Sequence, residues 1–141
     1  MRVLIEETCQ LHRAGLRSLI EAMPGLEVVA EARDIGEAFE LIALHRPELA
    51  VLELPTPSGI GLQAISRLSA TYTETALVIT ASQGSLELAR ETLSRGARAF
   101  LGPECGTSEL ELALQAAVQG HVFLSPNLSS QLLHGVLQRP R

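Results

Sequence analysis

The sequence predicts an α/β domain, a doubly wound five-stranded parallel sheet followed by a C-terminal helix, and three observations lead there. Short runs rich in Val, Leu and Ile alternate with segments whose apolar residues recur at helical spacing. Glycine and proline stand where these segments meet. The 141 residues, 46% hydrophobic and 19% charged, suffice for one core and are too few for two ordinary domains.

Taken in order, residues 2–5, 26–30, 49–54, 76–80 and 98–101 read as strands, because a strand covered on both faces is apolar nearly throughout. Between them Leu16, Leu19, Ile20 and Met23 lie on one helical face. So do Ile35, Ala38, Phe39 and Ile42, then Leu62, Ile65 and Leu68, then Leu86, Ala89 and Leu93. Asp34-x-x-Glu37 and Ser108-x-x-Glu111 have the form of capping boxes. Pro24-Gly25 closes the first helix, Pro47 precedes the third strand, Gly61 falls near an element end, and Gly96 follows the fourth helix where a left-handed residue is wanted. After Gly120 the pattern changes. HVFLS is a short extended piece, Ser125-Pro126 starts a last helix, and Leu128, Leu132, Leu133, Val136 and Leu137 form its apolar stripe. The expected division is residues 1–120 as the domain and 121–141 as an extension or linker helix.

Charge narrows the function. Net charge is −5, every basic residue other than histidine is arginine, and the arginines are scattered, so no positive stripe for nucleic acid forms. The apolar run of MRVLIEE is too short for a signal peptide and no stretch approaches a membrane span, so the expectation is a cytoplasmic chain with no membrane partner. Cys9 and Cys105 share no metal spacing and read as free thiols; a redox or metal role with His12 is the weaker alternative. His45, His121 and His134 are isolated.

In doubly wound sheets ligands bind beyond the carboxyl ends of the strands. Here those residues are Glu6 to Cys9, Glu53 to Gly61, Thr80 to Ser82 and Gly102 to Cys105. None forms a glycine-rich phosphate loop, a GxSxG elbow or a His-x-x-x-His pair, and an enzyme is the least supported class.

MRVLIEE, RAGLRSLIEAMPGLEVVAEA, RPELAVLELPTPSGIGL, ALVITA, SRGARAFL and VFLSP, in this order and spacing, resemble the receiver domain of bacterial response regulators of the NarL/FixJ (LuxR-like) type from Met1 to about Leu128. Pro57 and Gly61 after strand three, Thr80-Ala81 ending strand four, and Gly96-Ala97 leading to Phe100 carry the likeness. The resemblance implies a flavodoxin-like strand order 2-1-3-4-5 and a two-component phosphorylation switch driven by a sensor histidine kinase. It also implies a Mg²⁺ site and a helix-turn-helix DNA-binding domain, which these 141 residues do not contain.

Mapped residue by residue, the pocket implied by the resemblance is degenerate. Glu53 stands where the phosphoacceptor aspartate belongs, Glu7 and Thr8 replace the metal-binding acidic pair, and Pro103 replaces the lysine. Thr80 and Phe100 match the hydroxyl and aromatic switch positions. The chain contains no lysine, and its single aspartate is Asp34. Phosphoryl transfer depends on positioning and on charge stabilisation by a metal and a cation, and both stabilisers are weakened. The extra methylene of Glu53 moves its carboxylate by roughly 1 Å, a displacement that can cost on the order of 100-fold in rate. Glu53 imitates a phosphorylated aspartate only in part, since a phosphoryl group carries more charge and three acceptor oxygens. The competing bland reading is a pair of solvated strand-end carboxylates. Residual Mg²⁺ binding by Glu7 and Glu53 competes with their mutual repulsion, which raises one pKa; no cofactor is expected.

The reading is therefore an atypical, phosphorylation-independent receiver that acts through a homodimer, reaching DNA only through a further domain. Its alternatives are a small-molecule sensor using the vacated pocket, and a receiver still phosphorylated by a kinase.

Overall fold

The computed structural model describes residues 1–54 and 59–137; Pro57 and the tail 138–141 lie outside the described residues. Twelve elements alternate: β1 (Arg2–Glu6), α1 (Gln10–Glu21), β2 (Glu27–Ala32), α2 (Ile35–His45), β3 (Leu49–Leu54), α3 (Gly61–Thr71), β4 (Ala76–Ala81), α4 (Leu86–Ser94), β5 (Ala99–Leu101), α5 (Thr107–Val118), β6 (Phe123–Leu124) and α6 (Pro126–Leu137). The sheet is parallel throughout, in the order β2-β1-β3-β4-β5-β6. The expected order 2-1-3-4-5 holds, and the extended piece HVFLS adds a sixth strand, where Ala99 pairs with Phe123 and Phe100 with Leu124.

Strand side chains alternate between two cores. Leu4, Ala50, Leu52, Leu77, Ile79 and Phe100 face α2, α3 and α4, while Val3, Ile5, Val51, Val78 and Leu101 face α1 and α5. Continuous apolar runs result, because each strand must satisfy a core on either side. Leu128 of α6 is fully buried in the first core, and Phe123 N donates to the Arg98 carbonyl at 2.8 Å. The start of residues 121–141 is thus packed against the sheet.

Caps set the helix ends. Asp34 accepts from Glu37 N at 2.8 Å, as its capping box predicts. The box expected at Ser108 and Glu111 is displaced: Gly106 is the N-cap, and the carboxylate of Glu109 accepts from Gly106 N and from the Ser108 hydroxyl, each at 3.0 Å. The reason is the turn in which Cys105 N donates to the Gly102 carbonyl; it delivers an extended Gly106 to the cap position ahead of Ser108. Gly96 adopts φ 111°, and a Cβ there would collide with Ser69, whose own Cβ would lie 2.6 Å away.

Candidate functional site

The carboxyl ends of β1, β3, β4 and β5 meet at one edge of the sheet. β1 delivers Glu6 and the following Glu7 and Thr8, and β3 delivers Glu53, which lies in register with Thr80 of β4. Pro103 follows β5. Glu7, Thr8, Glu53, Thr80 and Pro103 line one cleft of about 650 Å³, together with Leu54 of β3, side chains of α1 and Leu110 of α5. Five of the six residues singled out in the sequence are thereby brought together. Phe100 is not among them. Its ring is wholly buried in the core beneath α2, α3 and α4.

Glu53 is held by Thr8. Its Oε1 accepts from Thr8 N at 2.9 Å, and its carboxylate shares the cleft with that of Glu7. Burial alone would push its pKa up, but hydrogen bonds from Glu7 and from Thr8, with His12 nearby, hold it below the usual carboxylate range. Glu7 moves the other way, up to about 7, through burial, its hydrogen bond to Glu53 and the charges of Glu53 and Glu6, against one bond from Cys9 N. The two carboxyl groups are therefore pushed apart in pKa, Glu7 up and Glu53 down. This is the pKa separation expected for two glutamates forced together.

Glu6 carries no role in the sequence reading, yet the structure builds the site around it. It is only 1% exposed; Oε1 accepts from Glu53 N at 3.0 Å, and among the described residues Oε2 has no hydrogen-bond partner. Burial raises its pKa to about 7 against the bond from Glu53 N, with the charges of Glu53 and Asp34 adding to the rise. The available signal was a carboxylate ending an otherwise apolar strand, indistinguishable in sequence from a solvated strand end.

Charge stabilisation is one-sided. Neither arginine nor lysine lines the cleft among the described residues. Arg13 donates to the Glu7 backbone carbonyl at 2.9 Å and pairs with Glu31 at 3.6 Å. Pro103 offers no donor, and the Thr80 hydroxyl donates at 3.5 Å to the Leu52 carbonyl. Glu7 and Glu53 are the carboxylates of the cleft that would hold a magnesium ion with water completing its shell; among the described residues no three His, Cys, Asp or Glu side chains are placed to hold a metal. Cys9 and Cys105 are free thiols on the same cleft, and burial pushes the Cys105 thiol up, away from reactivity. No described helix is long and apolar enough to cross a membrane.

Comparison with known proteins agrees with this architecture. Residues 3–115 match the family model described as response regulator receiver domain. The oxygen regulatory protein NreC of Staphylococcus haemolyticus is 27% identical over 135 residues, covering 95% of this chain and 62% of that protein. The chain thus spans under two thirds of the length of the curated relatives it matches. A LuxR-family two-component response regulator from Aurantimonas sp. SI85-9A1 superposes with a TM-score of 0.91 at 26% identity, covering 97% of this chain and 98% of that one. A structure of two RcsB dimers bound to two parallel DNAs shares the fold, with a TM-score of 0.84 at 17% identity over 92% of this chain and 66% of that one. A parallel sheet in receiver order, with Glu53, Thr80 and the β5–α5 loop gathered at its carboxyl edge, and a family match over most of its length place this chain in the response regulator receiver domain family, among LuxR-type two-component regulators.

Proposed function

We propose that this chain is a phosphorylation-independent receiver module that governs a transcription regulator through homodimerisation, without enzymatic activity and without a bound metal. One observation carries the reading: Glu53 is already engaged by Thr8 N, beside Glu7, in a cleft that no arginine or lysine lines among the described residues. An incoming phosphoryl group would add negative charge beside Glu7 and Glu6 with no fixed cation to offset it. A sensor kinase would then be at most a docking partner, not a phosphoryl donor.

Dimerisation is supported by exposed apolar side chains on two surfaces. Leu11 and Leu19 of α1 and Leu112 and Val118 of α5 belong to helices on one face of the sheet, and α6 shows Leu133, Val136 and Leu137. The fold-mate RcsB is seen as dimers on DNA, and a two-fold dimer suits paired half-sites, read by a domain outside this chain.

The test is intact-mass analysis after incubation with acetyl phosphate and Mg²⁺, beside sedimentation velocity over a wide concentration range. The expected result is an unmodified mass and reversible self-association. A phosphoryl adduct on Glu53 would overturn phosphorylation independence, and a monomer at all concentrations would overturn the dimer.

A further inference from the structure

We infer that the cleft at the carboxyl edge of the sheet binds a small organic ammonium compound, its cationic head seated on Glu7 and Glu53 and its apolar body lying between α1 and α5. This rests on the reading that the cleft is not used for phosphoryl transfer.

The volume, about 650 Å³, lies within the roughly 300–1,000 Å³ typical of small-molecule pockets. The walls are apolar over most of their extent: Leu16 and Leu19 come from α1, Leu54 from β3, Leu101 from β5, Leu110 from α5, and Pro103 from the loop between β5 and α5. Leu19 is 41% exposed and forms part of the open rim, whereas Leu101 and Leu110 are buried beneath it. A pocket of this size with leucine on several walls is unlike the small polar cup that a phosphoryl group and a metal ion require.

Polar groups gather at one end. Glu7, 13% exposed, and Glu53 both line it there, with Glu53 Oε1 accepting from Thr8 N at 2.9 Å and Thr80 in register beside Glu53. The carboxylate of Glu104 adds to the same field, lying close enough to Gly102 that a Cβ there would meet its Oε1 at 3.0 Å. Among the described residues His12 is the only lining side chain able to carry positive charge, and it is 72% exposed. An anion is therefore repelled. For a metal ion, no three His, Cys, Asp or Glu side chains are suitably placed among the described residues. A neutral apolar molecule would leave the carboxyl pair desolvated without a new partner, which is costly. An ammonium group instead brings donors that can satisfy both carboxyl groups. The attached carbon skeleton then covers the leucines, and specificity follows from having charge at one end and apolar surface at the other.

Amide NMR titration of the chain at pH 7.5 with n-butylamine and n-hexylamine, and with hexanoate as the anionic counterpart, tests the inference. Saturable shifts are expected at Thr8, Thr80, Leu101 and Gly102. Hexylamine should bind about tenfold more tightly than butylamine, because each buried methylene strengthens binding several-fold. Hexanoate should leave these amides unmoved. Glu53→Gln should weaken hexylamine by about tenfold, as a charged hydrogen-bond partner is lost. Leu19→Ala, at the exposed rim where folding is not at stake, should weaken hexylamine and leave butylamine nearly unaffected. Shifts that do not saturate, equal binding of hexanoate, or indifference to both substitutions would overturn the inference. The mass measurement above is independent of these titrations, so a failure here with an unmodified mass would remove only the ammonium ligand.

Discussion

Glu6→Gln should abolish most of a pH dependence of stability that this fold otherwise carries. Glu6 is buried to 1% exposure, with Oε1 on Glu53 N and Oε2 unpartnered among the described residues, and its pKa rises from the ordinary 4.5 to about 7. In the unfolded chain the group ionises near 4.5, and in the folded chain near 7. Between those values the folded state holds a proton that the unfolded state has released, so stability is full below about 4.5 and falls as pH rises through about 7. At 1.36 kcal/mol per pKa unit, the loss attributable to Glu6 is about 3 kcal/mol, a large share of the ~5–15 kcal/mol by which domains are stable. Glutamine keeps the oxygen that accepts from Glu53 N and cannot ionise. Urea denaturation at pH 5, 6, 7 and 8 measures the difference directly. The variant should exceed the wild type by about 1 kcal/mol or less at pH 5 and by about 3 kcal/mol at pH 8. Glu7 titrates in the same window and leaves a residual slope in both proteins. Parallel stability profiles from pH 5 to 8 would refute the burial of an ionisable Glu6.

Three further outcomes follow from the packing and the cleft. Gly96→Ala places a side chain at φ 111° against Ser69 and should cost about 2 kcal/mol or more in the same denaturation assay. Leu128→Ala empties a fully buried site between α6 and the sheet, and should cost about 2–5 kcal/mol, an effect absent if α6 were a detached linker. The triple substitution Thr8→Asp, Glu53→Asp and Pro103→Lys supplies the paired acid, the shorter acceptor and the missing cation. It should take up a phosphoryl group from acetyl phosphate and Mg²⁺, with intact mass as the readout, where the unaltered chain does not.

Much of this architecture is legible in the residues. Strand β3 is read at its observed bounds, Leu49–Leu54, because a strand covered on both faces leaves an uninterrupted apolar run. Strand β5, Ala99–Leu101, is one residue shorter than expected; Arg98 precedes it, with its backbone N donating to the Leu77 carbonyl at 2.8 Å and its guanidinium to the Gly120 carbonyl at 2.6 Å. Strand β6 has two residues, too few for any alternation to register, and its existence depends on the hydrogen bonds offered by Arg98 and Phe100 of the neighbouring chain segment. The α5 cap is displaced because the turn closed by Cys105 N on the Gly102 carbonyl delivers Gly106 to the cap position, which spacing rules on Ser108 do not rank.

The candidate site is legible in its membership and not in its bonding. Glu7, Thr8, Glu53, Thr80 and Pro103 follow from strand-end positions and from the family likeness. The opposite pKa shifts of Glu7 and Glu53 require the parallel register of β1 and β3, which brings together side chains far apart in sequence. Glu6 escapes because alternation along β1 decides its burial, and a terminal glutamate gives no hint of which side it faces. The apolar character of the cleft emerges only when Leu16, Leu19 and Leu110 are brought over the strand ends by α1 and α5.

The most direct test of the central claim, that this cleft no longer receives a phosphoryl group, is an amide NMR titration with Mg²⁺ followed by beryllium fluoride, observing Glu7, Glu53, Thr80 and Phe100. The expected spectrum is unchanged at all four positions, since Glu53 remains engaged by Thr8 N and, among the described residues, no arginine or lysine lines the cleft to offset the added charge. Saturable shifts at Glu53 and Thr80 that require Mg²⁺ would contradict it and show a working phosphoacceptor pocket.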